Sequence, residues 1–184
     1  MSSTLTNGLT PPTRVFRALL FIDIVGPLQI AKTCGDEHGW RVLARFKQVV
    51  RPLLDEKAAL VKDVGDRYMA TFERVPDAID SAIQIQRAIE AAFEGGERAP
   101  KLRIGIHAAE VLESAIDVYG VEVYLASRIC TYAEGGEIML TEAVRQLAED
   151  SGLTYSDHGD VLLQSFEEPA RIWELSWRAV LENC

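Results

Sequence analysis

Residues Leu60 to Phe72 read LVKDVGDRYMATF. Apolar residues Leu60, Val61 and Val64, then Tyr68, Met69 and Phe72, flank a bend in which Lys62, Asp63, Asp66 and Arg67 crowd around Gly65. Two short buried strands joined by a tight turn are expected, because glycine supplies the backbone freedom such a bend needs. Four charges at that place have two explanations. Turns are polar, so a plain surface hairpin would carry them. A metal-phosphate complex would also want an acid at the tip of a rigid hairpin.

Upstream, Arg17 to Val25 (RALLFIDIV) is a dense apolar run broken by one carboxylate, Asp23. It reads as a central strand buried on both faces. From about His38 to Ala59, Trp40, Leu43, Phe46, Val50 and Leu54 follow a helical stripe, with Pro52 expected to bend or divide it. Downstream, Pro76 and Asp77 fit the first turn of a second helix, whose Ile79, Ala82, Ile83, Ala88, Ile89 and Phe93 recur until Gly95-Gly96. Lys101 to Val111 (KLRIGIHAAEV) reads as the next strand, and Glu113 to Asp117 as a linker. Val121 to Ala133 reads as a helix stopped by Gly135-Gly136, Glu137 to Leu140 as a short strand, and Thr141 to Glu149 as a capped helix. The tail alternates into ARIWELSW, Ala170 to Trp177, an expected edge strand.

Strand, helix, strand, strand, helix, strand is the ferredoxin-like order, so the expected fold is α+β: a βαββαβ sheet with helices on one face and extra C-terminal strands. In that order the first strand pairs with the hairpin mid-sheet, which brings Asp23 near Asp66. The expected organisation is a flexible lead-in over 1–16, one domain over 17–178 and a tail over 179–184.

The 184 residues are 48% hydrophobic, enough for one sizeable core. A formal charge of −9 argues against nucleic acid or an anionic membrane as partner, while leaving room for a metal-nucleotide complex. Cys34, Cys130 and Cys184 lack ligand spacing and read as reduced thiols of a cytoplasmic protein. The opening residues carry no basic region followed by an apolar stretch, and no run is long enough to span a bilayer. On spacing alone, Asp23 and Asp66 are either a solvent-facing strand end and a turn residue, or a pair of acids that needs a cation between them.

FIDIVG (Phe21 to Gly26), VKDVGDRYMATF (Val61 to Phe72), LRIGIHAAEV (Leu102 to Val111) and DVYGVEVYLASR (Asp117 to Arg128) together resemble successive motifs of class III adenylate/guanylate cyclase catalytic domains. The resemblance implies a head-to-tail dimer, with each site completed by residues of both chains. It assigns Asp23 and Asp66, with the backbone of Ile24, to two Mg2+ or Mn2+ ions per active site. Lys62 matches the purine-reading lysine of adenylate-forming members, and Asp117 its partner on the adenine amino group. Arg128 matches the arginine that stabilises charge on the reacting phosphate. The implied reaction converts ATP to 3',5'-cyclic AMP and pyrophosphate. A lysine only donates and a carboxylate only accepts, which complements adenine's N1 and N6.

Three positions depart from the family pattern. Tyr124 stands where most members have the ribose-orienting Asn, four residues before Arg128 and so on the same helical face. Gln164 stands for the Lys that binds the terminal phosphates. Pro27 replaces the Phe of a Gly-Phe-Thr segment and removes one backbone N–H. These departures imply reduced activity. They leave as alternatives a weak or silent nucleotide-binding, dimerising module, and a heterodimer with another cyclase-type chain in place of the homodimer. His107 reads as a packed, hydrogen-bonded histidine, His38 and His158 as loop residues, and Trp40, Trp173 and Trp177 as core or interface. Arg67 reads as neutralising the turn.

Overall fold

The computed structural model describes residues 11–94, 99–148 and 152–178. The first ten residues of the expected lead-in, the Gly95-Gly96 stop, Glu149 and the 179–184 tail lie outside them. The elements are β1 (Thr13–Ile24), α1 (Pro27–Cys34), α2 (Asp36–Asp55), β2 (Leu60–Val64), β3 (Arg67–Phe72), α3 (Val75–Ala92) and β4 (Leu102–Glu113), then β5 (Val118–Tyr119), α4 (Val121–Tyr132), β6 (Ile138–Thr141), α5 (Glu142–Leu147), β7 (Thr154–Val161) and β8 (Ala170–Ser176).

All strands form one sheet in the order β2-β3-β1-β4-β6-β8-β7, with β5 paired to β4. The first four strands thus take the ferredoxin-like arrangement, with β1 antiparallel to both β3 and β4. Alternation along β1 explains its dense apolar sequence. Ala18, Leu20, Ile22 and Ile24 pack among α2 and α3, while Leu19 and Phe21 join Met69, Val111 and the α4 residues Ala126 and Cys130 on the opposite side. The helices of the βαββαβ unit share one face, as expected. Helix α4, which follows that unit, covers the other.

Two glycines fix local geometry. Gly65 turns the β2–β3 hairpin at φ +75, a conformation disfavoured for any side chain. Gly105 lets α4 lie against β4: a Cβ there would sit 2.2 Å from the backbone nitrogen of Cys130.

Several expectations are corrected. β1 begins at Thr13, paired opposite Glu113, so the lead-in ends before residue 16; Arg17 holds the pairing with a 2.7 Å ion pair to Glu113. A short helix, α1, precedes the stripe helix and buries no residue, which is why no periodicity announced it. Pro52 does not divide α2, which runs unbroken to Asp55. The buried stripe of α2 is Val42, Phe46, Val50 and Leu54, and Trp40 is 69% exposed rather than core. β8 is interior, between β6 and β7. The edge is β7, TYSDHGDV, whose charges and bulge at Asp157/Gly159 hide its strand character in the sequence.

Candidate functional site

The four charges of the hairpin go to different partners. Lys62 on β2 donates to Asp117 at 2.5 Å. Asp63 accepts from Lys47 at 2.9 Å, and from the Gly65 N–H and Tyr68 hydroxyl. Burial raises the Asp63 pKa, but these bonds, Lys47 foremost, outweigh it and hold the carboxyl below its ordinary range. The Asp66 carbonyl accepts the Ile24 N–H at 3.3 Å, so the turn is tied to the end of β1 and the two acids are neighbours. Arg67 reaches across to Asp23 at 2.9 Å.

Asp23 is not solvent-facing; it is 3% exposed. In sheet register it stands opposite Arg67 on β3 and Arg103 on β4. Its Oδ2 accepts from Arg67 Nη2 at 2.9 Å, from Arg103 Nε at 2.9 Å and from Arg103 Nη2 at 2.5 Å. Arg67 therefore pairs with Asp23, and the field of the turn's Asp66 adds to the stabilisation of its charge. Burial opposes the Arg67 charge, yet the bond to Asp23 prevails and raises its pKa. Beneath this cluster, burial and the negative field of Asp23 push the Cys130 thiol up to about 12, which makes it an unreactive packing group. Sequence reading missed Arg103. Its signal was a cation inside the apolar strand LRIGIHAAEV, where burial demands a partner.

Asp117 lies just before β5. Its carboxylate accepts from the Val118 N–H at 2.8 Å, and its carbonyl from Ser114 N at 2.8 Å and Oγ at 3.1 Å. These bonds fix the side chain that meets Lys62.

Tyr124 and Arg128, one turn apart on α4, line a groove of about 710 Å³ together with Glu122 and the loop from Ser165 to Ala170. Tyr124 is 69% exposed, and Arg128 forms no ion pair among the described residues. Gln164 is exposed next to Ser165, whose φ of 72 marks a tight left-handed turn, so Gln164 adjoins the groove without lining it. Pro27 occupies the first turn of α1 after Gly26. Neither Asp23, Asp66, Lys62 nor Asp117 lines the Tyr124 groove. One chain thus presents an acid cluster, a lysine-aspartate pair and an arginine groove without merging them. A more apolar hollow of about 370 Å³ between α1, α2 and Lys101 contains none of these residues.

His107, buried in β4, ties the start of α4 to the sheet. Its Nε2 lies 2.7 Å from Glu122 Oε2 and its Nδ1 2.9 Å from Thr141 Oγ1. Burial lowers its pKa, against the pull of Glu122. It is the packed, hydrogen-bonded histidine expected. Tyr132 and Glu174 flank His158 on β7, which is a strand residue and not a loop one.

This sheet, with one acid at the end of its first strand, another in the adjoining hairpin turn and a helix crossing its far face, is the architecture of nucleotide cyclase catalytic domains. The pattern of the family described as "Adenylate and Guanylate cyclase catalytic domain" matches residues 16–175, and the chain belongs to that class III family. It is 25% identical over 167 residues to Putative adenylate cyclase 3 of Rhizobium meliloti, covering 89% of this chain and 28% of that protein. It is 30% identical over 124 residues to an adenylate cyclase of Streptomyces griseus, covering 67% of this chain and 30% of that protein. The chain thus spans under a third of these two curated relatives. Among solved structures, the adenylyl cyclase CyaB from P. aeruginosa superposes with a TM-score of 0.81 at 19% identity, over 91% of this chain and 96% of that one. The guanylyl cyclase Cya2 gives 0.78 at 18%, over 95% and 98%. These likenesses carry the fold. No helix of the described residues is long and apolar enough to cross a membrane.

Proposed function

We propose that this domain is an adenylate cyclase converting ATP to 3',5'-cyclic AMP and pyrophosphate, in a cytoplasmic setting. The observation that carries the reading is the 2.5 Å contact between Lys62 and Asp117. It sets a donor-only group beside an acceptor-only one, and adenine offers an acceptor at N1 and a donor at N6. Guanine presents the reverse pattern and would leave both groups facing the wrong partner, a costly mismatch.

In the proposed reaction the ribose 3'-oxygen attacks the α-phosphorus, the bond to the β-phosphate oxygen breaks, and pyrophosphate departs. Arg128, which forms no ion pair among the described residues, faces an open groove, which suits it to hold negative charge on the reacting phosphate. Tyr124, on the same face, would offer a hydroxyl to ribose or phosphate, and Gln164 a neutral donor to the terminal phosphates. Asp23 and Asp66, with the Ile24 backbone, suit Mg2+ or Mn2+, since such ions take one or two carboxylates and draw their other ligands from water and phosphate. When bound, the metal pair would supply Lewis-acid activation of the 3'-hydroxyl and charge neutralisation at the leaving group.

The acids stand apart from the Tyr124 and Arg128 groove, which favours a site completed by a second copy of the chain. A second reading, a weak or silent nucleotide-binding module, is favoured by the bulk of Tyr124 in the groove and by two guanidiniums on Asp23. Incubating the purified chain with Mn2+ and ATP separates them: equimolar cyclic AMP and pyrophosphate support the enzyme, and nucleotide binding without product supports the silent module.

A further inference from the structure

Asp23 carries more positive charge than a metal-binding carboxylate needs. Both strands flanking β1 place an arginine opposite it, and all three of their hydrogen bonds end on one oxygen, Oδ2. Asp66, whose negative field also bears on Arg67, brings the local count to two acids and two guanidiniums, formally zero. The two arginines are held differently. Arg103 gives Asp23 two bonds. Arg67 gives one, through Nη2, and its Nη1 reaches the Ser127 hydroxyl of α4 at 3.3 Å.

We infer that Arg67 is a resident counter-ion of Asp23 that keeps divalent cations out of the nucleotide-free protein, so that metal enters together with the triphosphate. The inference rests on the metal reading of Asp23 and Asp66. A free dication approaching a neutral, partly buried cluster meets two guanidiniums at short range and gains little from the acids they already satisfy. A metal-triphosphate complex brings its own anion, which either guanidinium can turn to as the carboxylate turns to the metal. The anchor on Ser127 keeps the Arg67 head group beside the site throughout the exchange. Arg67 would therefore set metal affinity and order of loading without touching the base.

The test is Mn2+ binding to the nucleotide-free chain, read from the electron paramagnetic resonance signal of free Mn2+. Arg67→Gln removes the charge and should tighten Mn2+ binding about tenfold or more, while Arg67→Lys, which keeps it, should bind as weakly as the parent. Thermal melting of each variant in chelator establishes that it is folded. If Arg67 serves only the fold, Arg67→Gln lowers the melting temperature and leaves Mn2+ affinity unchanged, which overturns the inference. Tight Mn2+ binding by the nucleotide-free parent overturns it as well, with no variant required. Asp23→Asn in the Arg67→Gln background distinguishes the two levels: loss of the gained affinity supports the placement at Asp23, and full retention overturns the metal reading itself.

Discussion

Lys62 on β2 and Asp117 at the foot of β5 lie 55 positions apart in the chain and meet at 2.5 Å, in the same chain and outside the groove that holds Tyr124 and Arg128. A charge of the hairpin is thus held against an acceptor from a distant segment, and under the proposed function this pair reads the base. Its consequence is base selectivity.

ATP should be preferred over GTP at least about tenfold in binding or rate, a modest demand given the cost of unpaired polar groups in a site. Lys62→Glu should erase or invert that preference, because a carboxylate accepts where the lysine donated. Competition of each triphosphate against a fluorescent ATP analogue measures it. Equal affinities in the parent would mean that one of the pair does not face the base.

Gly105→Ala should destabilise the protein by about 2–4 kcal/mol, because the new methyl meets the α4 backbone at Cys130 and neither β4 nor α4 can withdraw without opening the sheet's second face. Chemical denaturation of parent and variant reads this directly. A change under about 0.5 kcal/mol would show that α4 rides further from β4 than described.

Stability should depend on His107. Its pKa is lowered in the fold by burial, so the unfolded chain binds the proton more readily. The contribution is fully present above the unfolded value of 6.5 and is lost as pH falls below it through the folded value. Melting temperatures from pH 7.5 down to 5 should fall more steeply in the parent than in His107→Gln, about these values of pH. Parallel curves would place the sensitivity elsewhere.

Tyr124→Phe should lower turnover if the hydroxyl contacts ribose or phosphate. If the phenol merely blocks the groove, Phe changes nothing, and Tyr124→Asn with Gln164→Lys should create activity that the parent lacks. Cyclic AMP formation in parent, single and double variants decides between them. A silent parent rescued by the double variant would discard the adapted-enzyme reading.

Much of this was legible in the sequence because the apolar pattern is strong where the fold is deep. RALLFIDIV read as a strand buried on both faces, and the stripe through Phe46, Val50 and Leu54 as a helix, although its first buried residue is Val42 and not Trp40. The pairing of Asp23 with the hairpin followed from element order. What stayed hidden was set by register and by polar edges. That Asp23 faces Arg67 and Arg103 depends on which residues stand opposite across three strands, which no single segment encodes. β7 escaped because an edge strand with Asp157, His158 and Asp160 reads as a loop.

The central claim is that ATP is cyclised at a site shared by two copies, acids from one and Arg128 from the other. Mixing two inactive variants, Asp23→Asn and Arg128→Ala, tests it most directly, since a mixed dimer rebuilds one intact site and leaves the other doubly defective. Random pairing should restore cyclic AMP formation to about a quarter of the parent rate, half the dimers being mixed and each holding one working site of two. A mixture as silent as its components, beside an active parent, would contradict the shared site.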